Sequence, residues 1–234
     1  MLKNTAFVCF LCVLVIALGN CQNELSNTHK IKEYFSNKCY GQTHDHMHYT
    51  NLSNEFSKFE GYLQRISAMI PDRRKDFCEH ERRQINNEFH TVVKYMEPCL
   101  SPQEKYMSEF LKISFGEFLH FLCHNNGEYT KRLFSPQNEQ CRGDVTSKLS
   151  TCSGRIFKPS SGYLTKKDIC EDMSVAEKCL DAVVNENCAS SPAYKDLVKT
   201  FFRYISKPCS GCVNQISILL LALSVFLPYL FSEK

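Results

Sequence analysis

Three stretches of this chain carry residue types that can do chemistry. In His44-Asp45-His46-Met47-His48, three imidazoles stand at alternate positions. On an extended segment they would share a face, and imidazole nitrogen is a good donor to zinc or copper. No fourth ligand is evident, and the stretch follows Cys39-Tyr40-Gly41 as a polar loop would. The expectation is therefore a solvated loop, with His44, His46 and His48 as weak metal candidates and no cofactor. His120 and His124 have the spacing of a pair on one helix face. The residue after His120 is Phe121, so the glutamate of an HExxH protease is missing. His124 near a helix end suits a partner for free carbonyls. Cys209-Ser210-Gly211-Cys212 has redox spacing, but no βαβ pattern surrounds it. Arg142-Gly143-Asp144 spells an integrin-binding tripeptide inside a predicted helix. There is no GxSxG elbow, phosphate loop or CxxHDxC pattern, although His44-Asp45 follows Cys39 nearby. The reading is non-enzymatic.

Cysteine is the most informative reactive residue, with 14 in the chain. Cys39, Cys78, Cys99, Cys123, Cys141, Cys152, Cys170, Cys179, Cys188 and Cys209 span the middle; Cys9, Cys12, Cys21 and Cys212 lie at the ends. Thiols at this density indicate disulfides and hence an oxidising compartment. The ends agree. Residues 1–21 read as a signal peptide: Lys3, then an apolar run from Ala6 to Leu18, then small residues, with cleavage after Gly19 or Cys21. Residues 211–234 form an apolar tail, Ile216 to Phe231, interrupted by Pro228. Small residues, a spacer and a terminal apolar run make a glycosylphosphatidylinositol signal, with Ser210 as the attachment candidate. The spacer is shorter than usual; the alternatives are a retained transmembrane helix or a soluble tail. Losing both Cys21 and Cys212 leaves an even set that can all pair, and keeping both does too.

The body, residues 22–210, has about 190 residues, enough for one domain with a real core. Without its ends it is nearly neutral, so nucleic acid is not an expected partner. Asn51-Leu52-Ser53 is a glycosylation sequon placed at a helix start after a loop.

The elements that position these residues read as helices. Periodic apolar stretches and the absence of alternating strands predict a single all-α, disulfide-crosslinked domain of about six to eight helices. Ser101-Pro102-Gln103-Glu104 is a strong helix start, opening a helix that runs to about His124 before Gly127 stops it. Ser191-Pro192 opens another, and Ser174-Val175-Ala176-Glu177 reads as a capping box for a third. Further helices are expected near 52–70, 71–97 and 138–151, with a shorter one near 24–35. Within a single helix, Cys141 and Cys152 would lie about 16 Å apart, beyond the roughly 7 Å that a disulfide spans. Cys179 and Cys188 fall on opposite faces of their helix, so each must reach a different neighbour. The bridges are then inter-helix bolts whose pairing is unread. Phe110, Phe115, Phe118 and Phe121 crowd one helix, and Phe201, Phe202 and Tyr204 another. They are expected to pack a core; the sharper alternative is an apolar cavity for a hydrophobic ligand.

From about Tyr95 onward the chain resembles the insect 27 kDa haemolymph glycoprotein family. The resemblance rests on Glu97-Pro98-Cys99-Leu100, Phe121-Leu122-Cys123-His124 with Gly127, Cys141, Cys152 and Cys170-Glu171-Asp172-Met173. It continues through Cys179-Leu180-Asp181-Ala182-Val183, Cys188, Ser191-Pro192-Ala193, Phe201 to Ile205 and Lys207-Pro208-Cys209. Before Tyr95 it rests on Cys39 and Cys78. The chain departs from that family at Tyr62 and Asn87, near which relatives often have cysteines, and in its apolar tail. The resemblance implies a secreted, glycosylated, cysteine-rich helical protein and no activity. The expectation is an extracellular protein that binds a partner protein or hydrophobic ligand. It would sit on the outer face of the plasma membrane, or be secreted if the tail is unused. A lipid carrier and an unrecognised enzyme are the alternatives.

Overall fold

The computed structural model describes residues 35–67, 69–141, 152, 163–188 and 191–210. The signal segment, the Arg142-Gly143-Asp144 tripeptide, Cys21, Cys212 and the apolar tail lie outside the described residues. Residues 35–43 are helical and lead into α1, His46–Ser67. Then come α2, Arg82–Met96, α3, Tyr106–Cys123, and α4, Glu128–Leu133. The last two long helices are α5, Lys166–Asn187, and α6, Pro192–Ile205. No strand occurs among the described residues.

Each helix forms because its apolar residues recur at helical period. α2 buries Ile85, Phe89, Val92, Val93 and Met96, one continuous stripe. α5 buries Ile169, Met173, Ala176, Leu180 and Val184 in the same way. α3 is wider, burying Met107, Phe110, Phe115, Phe118, Leu119, Phe121 and Leu122, because it packs against both α2 and α6. α1 lies on α2, and α5 lies on α6, so α3 is the central helix of the series α1–α2–α3–α6–α5. The phenylalanines fill this centre. Phe115 is fully buried, with ring centroids of Phe89, Phe59 and Phe118 at 4.1, 5.9 and 6.1 Å.

Several helix boundaries differ from the sequence expectation, among them the start of α1 at His46 rather than near 52. The 71–97 stretch is not one helix. Arg73 leaves the helical region (φ −116°, ψ 44°), and a π-turn over Phe77–Glu81 precedes α2. The wider turn buries Phe77 and sets Cys78 within reach of Cys123. Ser174 does not start a helix either; it is an exposed residue within α5. The true start lies upstream, where Thr165 and Asp168 form the capping box. Asp168 accepts from the Thr165 N–H at 2.8 Å, and the Asp168 N–H donates to Thr165 Oγ1 at 3.1 Å. The Ser101 start is found, with Glu104 Oε2 accepting from the Ser101 N–H at 3.1 Å and its hydroxyl at 2.6 Å.

Five disulfides bolt the helices: Cys39–Cys99, Cys78–Cys123, Cys141–Cys188, Cys152–Cys179 and Cys170–Cys209. Cys179 and Cys188 therefore leave α5 and its end toward different partners, and Cys141 and Cys152 do not meet. None of these bridges joins a cysteine up to Cys123 with one from Cys141 onward.

Candidate functional site

A surface of aromatic rings and two histidines forms where the C-terminal end of α3 meets α4 and α6. On α3, Glu117, His120 and Phe121, with His124 as the residue that caps it, stand three, four and seven places along from Glu117, which gathers them on one side of the helix end. α6 adds Phe201 and Tyr204, one turn apart, with Lys207 just beyond. α4 adds Tyr129. It is brought back by a tight turn in which Asn125, Asn126 and Gly127 all adopt positive φ (46°, 58° and 81°). At Gly127 a Cβ would also meet the Arg74 side chain at 3.2 Å. Thr130 Oγ1 then donates to the Leu122 carbonyl at 2.7 Å and fixes α4 against α3.

The rings interlock. His124 stacks on Tyr129 at 4.5 Å with an interplanar angle of 7°. Phe121 stacks on Tyr129 at 5.0 Å and meets Phe201 and Tyr204 edge-on at 5.5 and 5.8 Å. His120 meets Tyr204 edge-on at 5.4 Å. Phe121 is buried beneath, while His124, Tyr129, Phe201 and Tyr204 are half-buried and the His120 side chain is 52% exposed. Polar groups rim the rings. Tyr204 Oη lies 3.3 Å from His124 Nδ1. Glu117 pairs with Lys207 and lies 3.8 Å from His120 Nδ1. Burial, then the neighbouring Tyr129, pushes the Tyr204 phenol up, so it stays a neutral hydrogen-bonding group at physiological pH. An anchored apolar floor with partly exposed rings and hydrogen-bonding edges is suited to contact with another surface.

A second polar cluster is internal. Glu104 is 0% exposed and accepts from Lys38 Nζ at 2.5 Å and from the Leu164 N–H at 3.0 Å, besides Ser101. Burial pushes its carboxyl up, but the bonds from Lys38, Ser101 and Leu164 outweigh this and hold it below the usual range. Its role is to join three segments, since each partner comes from a different part of the chain.

The sequence candidates fare differently. His44, His46 and His48 do not share a face. His44 is in a turn at φ 55°, and His46 begins α1, which places His48 about 200° further round. Asp45 Oδ1 caps the helix by accepting from the Met47 N–H at 2.8 Å, and Tyr40 stacks on His46 at 4.5 Å. The extended loop is thus corrected to a capped helix start. Among the described residues, no group of three or more His, Cys, Asp or Glu side chains is placed to hold a metal. Asn51 is exposed, as expected, but it lies inside α1, beyond the first turn, rather than at the helix start. Ser210 is exposed just after Cys209, its hydroxyl donating to the Lys207 carbonyl at 2.7 Å. His124 does end its helix, yet its ring goes to Tyr129 and Tyr204 rather than to carbonyls. Tyr129 and Glu104 were the residues sequence reasoning missed as partners. Tyr129 had a signal, the Asn-Asn-Gly turn that must reverse the chain; Glu104 had none beyond its capping role.

Among the described residues, no helix is long and apolar enough to cross a membrane. The five disulfides indicate an extracellular or secretory-pathway protein. No curated protein and no solved structure matches the chain. Residues 20–212 match the family described as "Protein of unknown function (DUF1397)", which spans the whole disulfide-bonded body, and the chain belongs to that family.

Proposed function

We propose that this is a non-enzymatic extracellular protein, akin to the insect 27 kDa haemolymph glycoproteins, that engages a partner protein through the ring-and-histidine face of α3, α4 and α6. The observation that carries this reading is the cluster of partly exposed His124, Tyr129, Phe201 and Tyr204 rings, stacked or edge-on, around buried Phe121. Aromatic residues seated on a packed floor are the type that dominates binding energy at protein interfaces. The Lys207–Glu117 pair at the edge supplies a polar rim. The inner phenylalanines pack on one another, which favours a solid core over a ligand chamber at that position. Exposed Ser210, directly after the last bridged cysteine, supports the proposal that a lipid anchor attaches there and holds the body at the cell surface.

Photo-crosslinking tests the binding face. A benzophenone side chain replaces His120 in one protein and Lys167, whose side chain is 82% exposed on α5, in another. Each is placed in its native extracellular fluid and irradiated. The expected result is a discrete adduct from position 120 that disappears when Tyr204→Ala is added, and none from position 167. Equal or absent adducts at both positions would sink the reading. Release of the protein from cells by phosphatidylinositol-specific phospholipase C tests the anchor, and retention after treatment counts against it.

A further inference from the structure

A shallow groove of about 600 Å³ lies between α1 and the last turn of α2. Its lining is Asn51, Asn54, Glu55, Ser57, Lys58 and Tyr95. Asn51, Asn54, Glu55 and Lys58 follow at helical steps, so they form one polar stripe of α1 about 10 Å long. Tyr95 faces them from α2 and is one of the few large apolar side chains left exposed, at 38%. Lys58 and Glu55 hold each other at 2.6 Å and present donors and acceptors along the stripe. The groove is therefore a polar trough with a single aromatic wall. The trough is shallow and open to solvent, which suits a sugar lying along it rather than a ligand enclosed by it.

Asn51 is the first residue of Asn51-Leu52-Ser53, and its exposed side chain opens into this trough. The glycan that the sequon predicts at Asn51 would start in this trough, and we propose that its first sugars lie in it, their C–H faces on the Tyr95 ring. The chemistry fits each part. A pyranose presents one apolar face for an aromatic ring, and its hydroxyl and N-acetyl groups suit Asn54, Glu55 and Lys58. Attachment uses a lipid-diphosphate-linked oligosaccharide as donor. The Asn51 Nδ2–C1 bond forms as the C1–O bond to the diphosphate breaks. The lipid diphosphate leaves with the electron pair, and the amide proton passes to the transferring enzyme. The inference rests on the secretory compartment that the disulfides indicate, and not on the ring-and-histidine face.

The experiment uses the full chain secreted from eukaryotic cells. Intact mass before and after peptide-N-glycosidase F gives occupancy; Asn51→Gln should remove the whole shift. The rate of glycan removal from the native, disulfide-intact protein then reports seating. Tyr95→Ala should speed native removal several-fold, Tyr95→Phe should restore the slow rate, and all three proteins should be deglycosylated equally fast once denatured. An oxidised, secreted chain without sugar at Asn51 overturns the proposal while leaving the compartment intact. Equal native rates for wild type and Tyr95→Ala overturn the seating.

Discussion

The two halves of this molecule are held together in different ways. Up to Cys123 the chain closes two interlocked bridges, Cys39–Cys99 and Cys78–Cys123, around a deep aromatic core. From Cys141 onward it closes three, Cys141–Cys188, Cys152–Cys179 and Cys170–Cys209, around a core that, among the described residues, is mainly aliphatic with Tyr194 and Phe202. The contrast is visible in single helices. α3 buries nine of its 18 residues, whereas α5 buries five of its 22. Among the described helices, crosslinks are denser around the one that buries fewer of its residues, as expected when a small core cannot offset chain entropy alone. No disulfide joins the halves among the described residues. The join is the α3–α6 packing, the Glu104 cluster, and hydrogen bonds from Tyr106 Oη to the Leu164 carbonyl at 2.9 Å and from Ser191 Oγ to Asn138 Oδ1 at 2.8 Å.

Core and crosslink variants should separate the two modes. Phe115→Ala empties the middle of the first half and should cost about 4 kcal/mol in denaturant unfolding. The loss should be felt by both halves, because α3 is the helix they share. A cost below about 1 kcal/mol would mean that the ring is not the keystone its burial implies. Replacing Cys152 and Cys179 together by serine should cost about 3 kcal/mol. Its effect should be local: amide exchange should speed along 166–187 while α1 and α2 keep their protection. Uniform loss of protection in that variant would show that the halves unfold as one unit and would break the comparison.

The join itself should be acid-sensitive. Glu104 is held below its unfolded value, so its contribution is fully present above about pH 4.3, the ordinary range of a free glutamate. It is lost as pH falls through the lower folded value, when the unfolded chain has already taken up its proton. Glu104→Gln should remove about 2 kcal/mol at neutral pH, since several bonds to a charged acceptor are weakened at once. It should also flatten the acid limb of the stability curve. An unchanged pH profile would assign that limb to other carboxylates.

Much of the first half could be read from sequence because its signals are local. Ser101 and Glu104 lie within one turn, and the α2 and α3 stripes need only their own periodicity. The failures were of two kinds. Two local signals compete near α5: Ser174-x-x-Glu177 imitates a cap on its solvent face, while Thr165 and Asp168 make the real one. At His44–His48 the alternation suggested an extended strip, yet Asp45 caps a helix there. Other features depend on residues far apart in sequence. Cysteine pairing, the Leu164 N–H on Glu104, and the meeting of Tyr204 with His124 across 80 residues are set by packing, which no spacing rule encodes. The π-turn before α2 was hidden because one extra residue barely disturbs a helical pattern.

The smallest expected effect bears on what the ring-and-histidine face is for. Tyr204→Phe keeps the ring and removes only the hydroxyl near His124 Nδ1. That contact is long at 3.3 Å and half-buried, so its loss should cost no more than about 1 kcal/mol of stability. If the face is merely the edge of the core, the variant should be nearly silent in every assay, because its ring contacts with Phe121 and His120 persist. If the face recognises a partner, the hydroxyl points into the interface, and losing it leaves the opposing polar group unpaired. Crosslinking from position 120 should then weaken clearly while the unfolding midpoint hardly moves. A stability change larger than the change in crosslinking would mark Tyr204 as a packing residue, and would return this surface to the same structural role as the rest of α6.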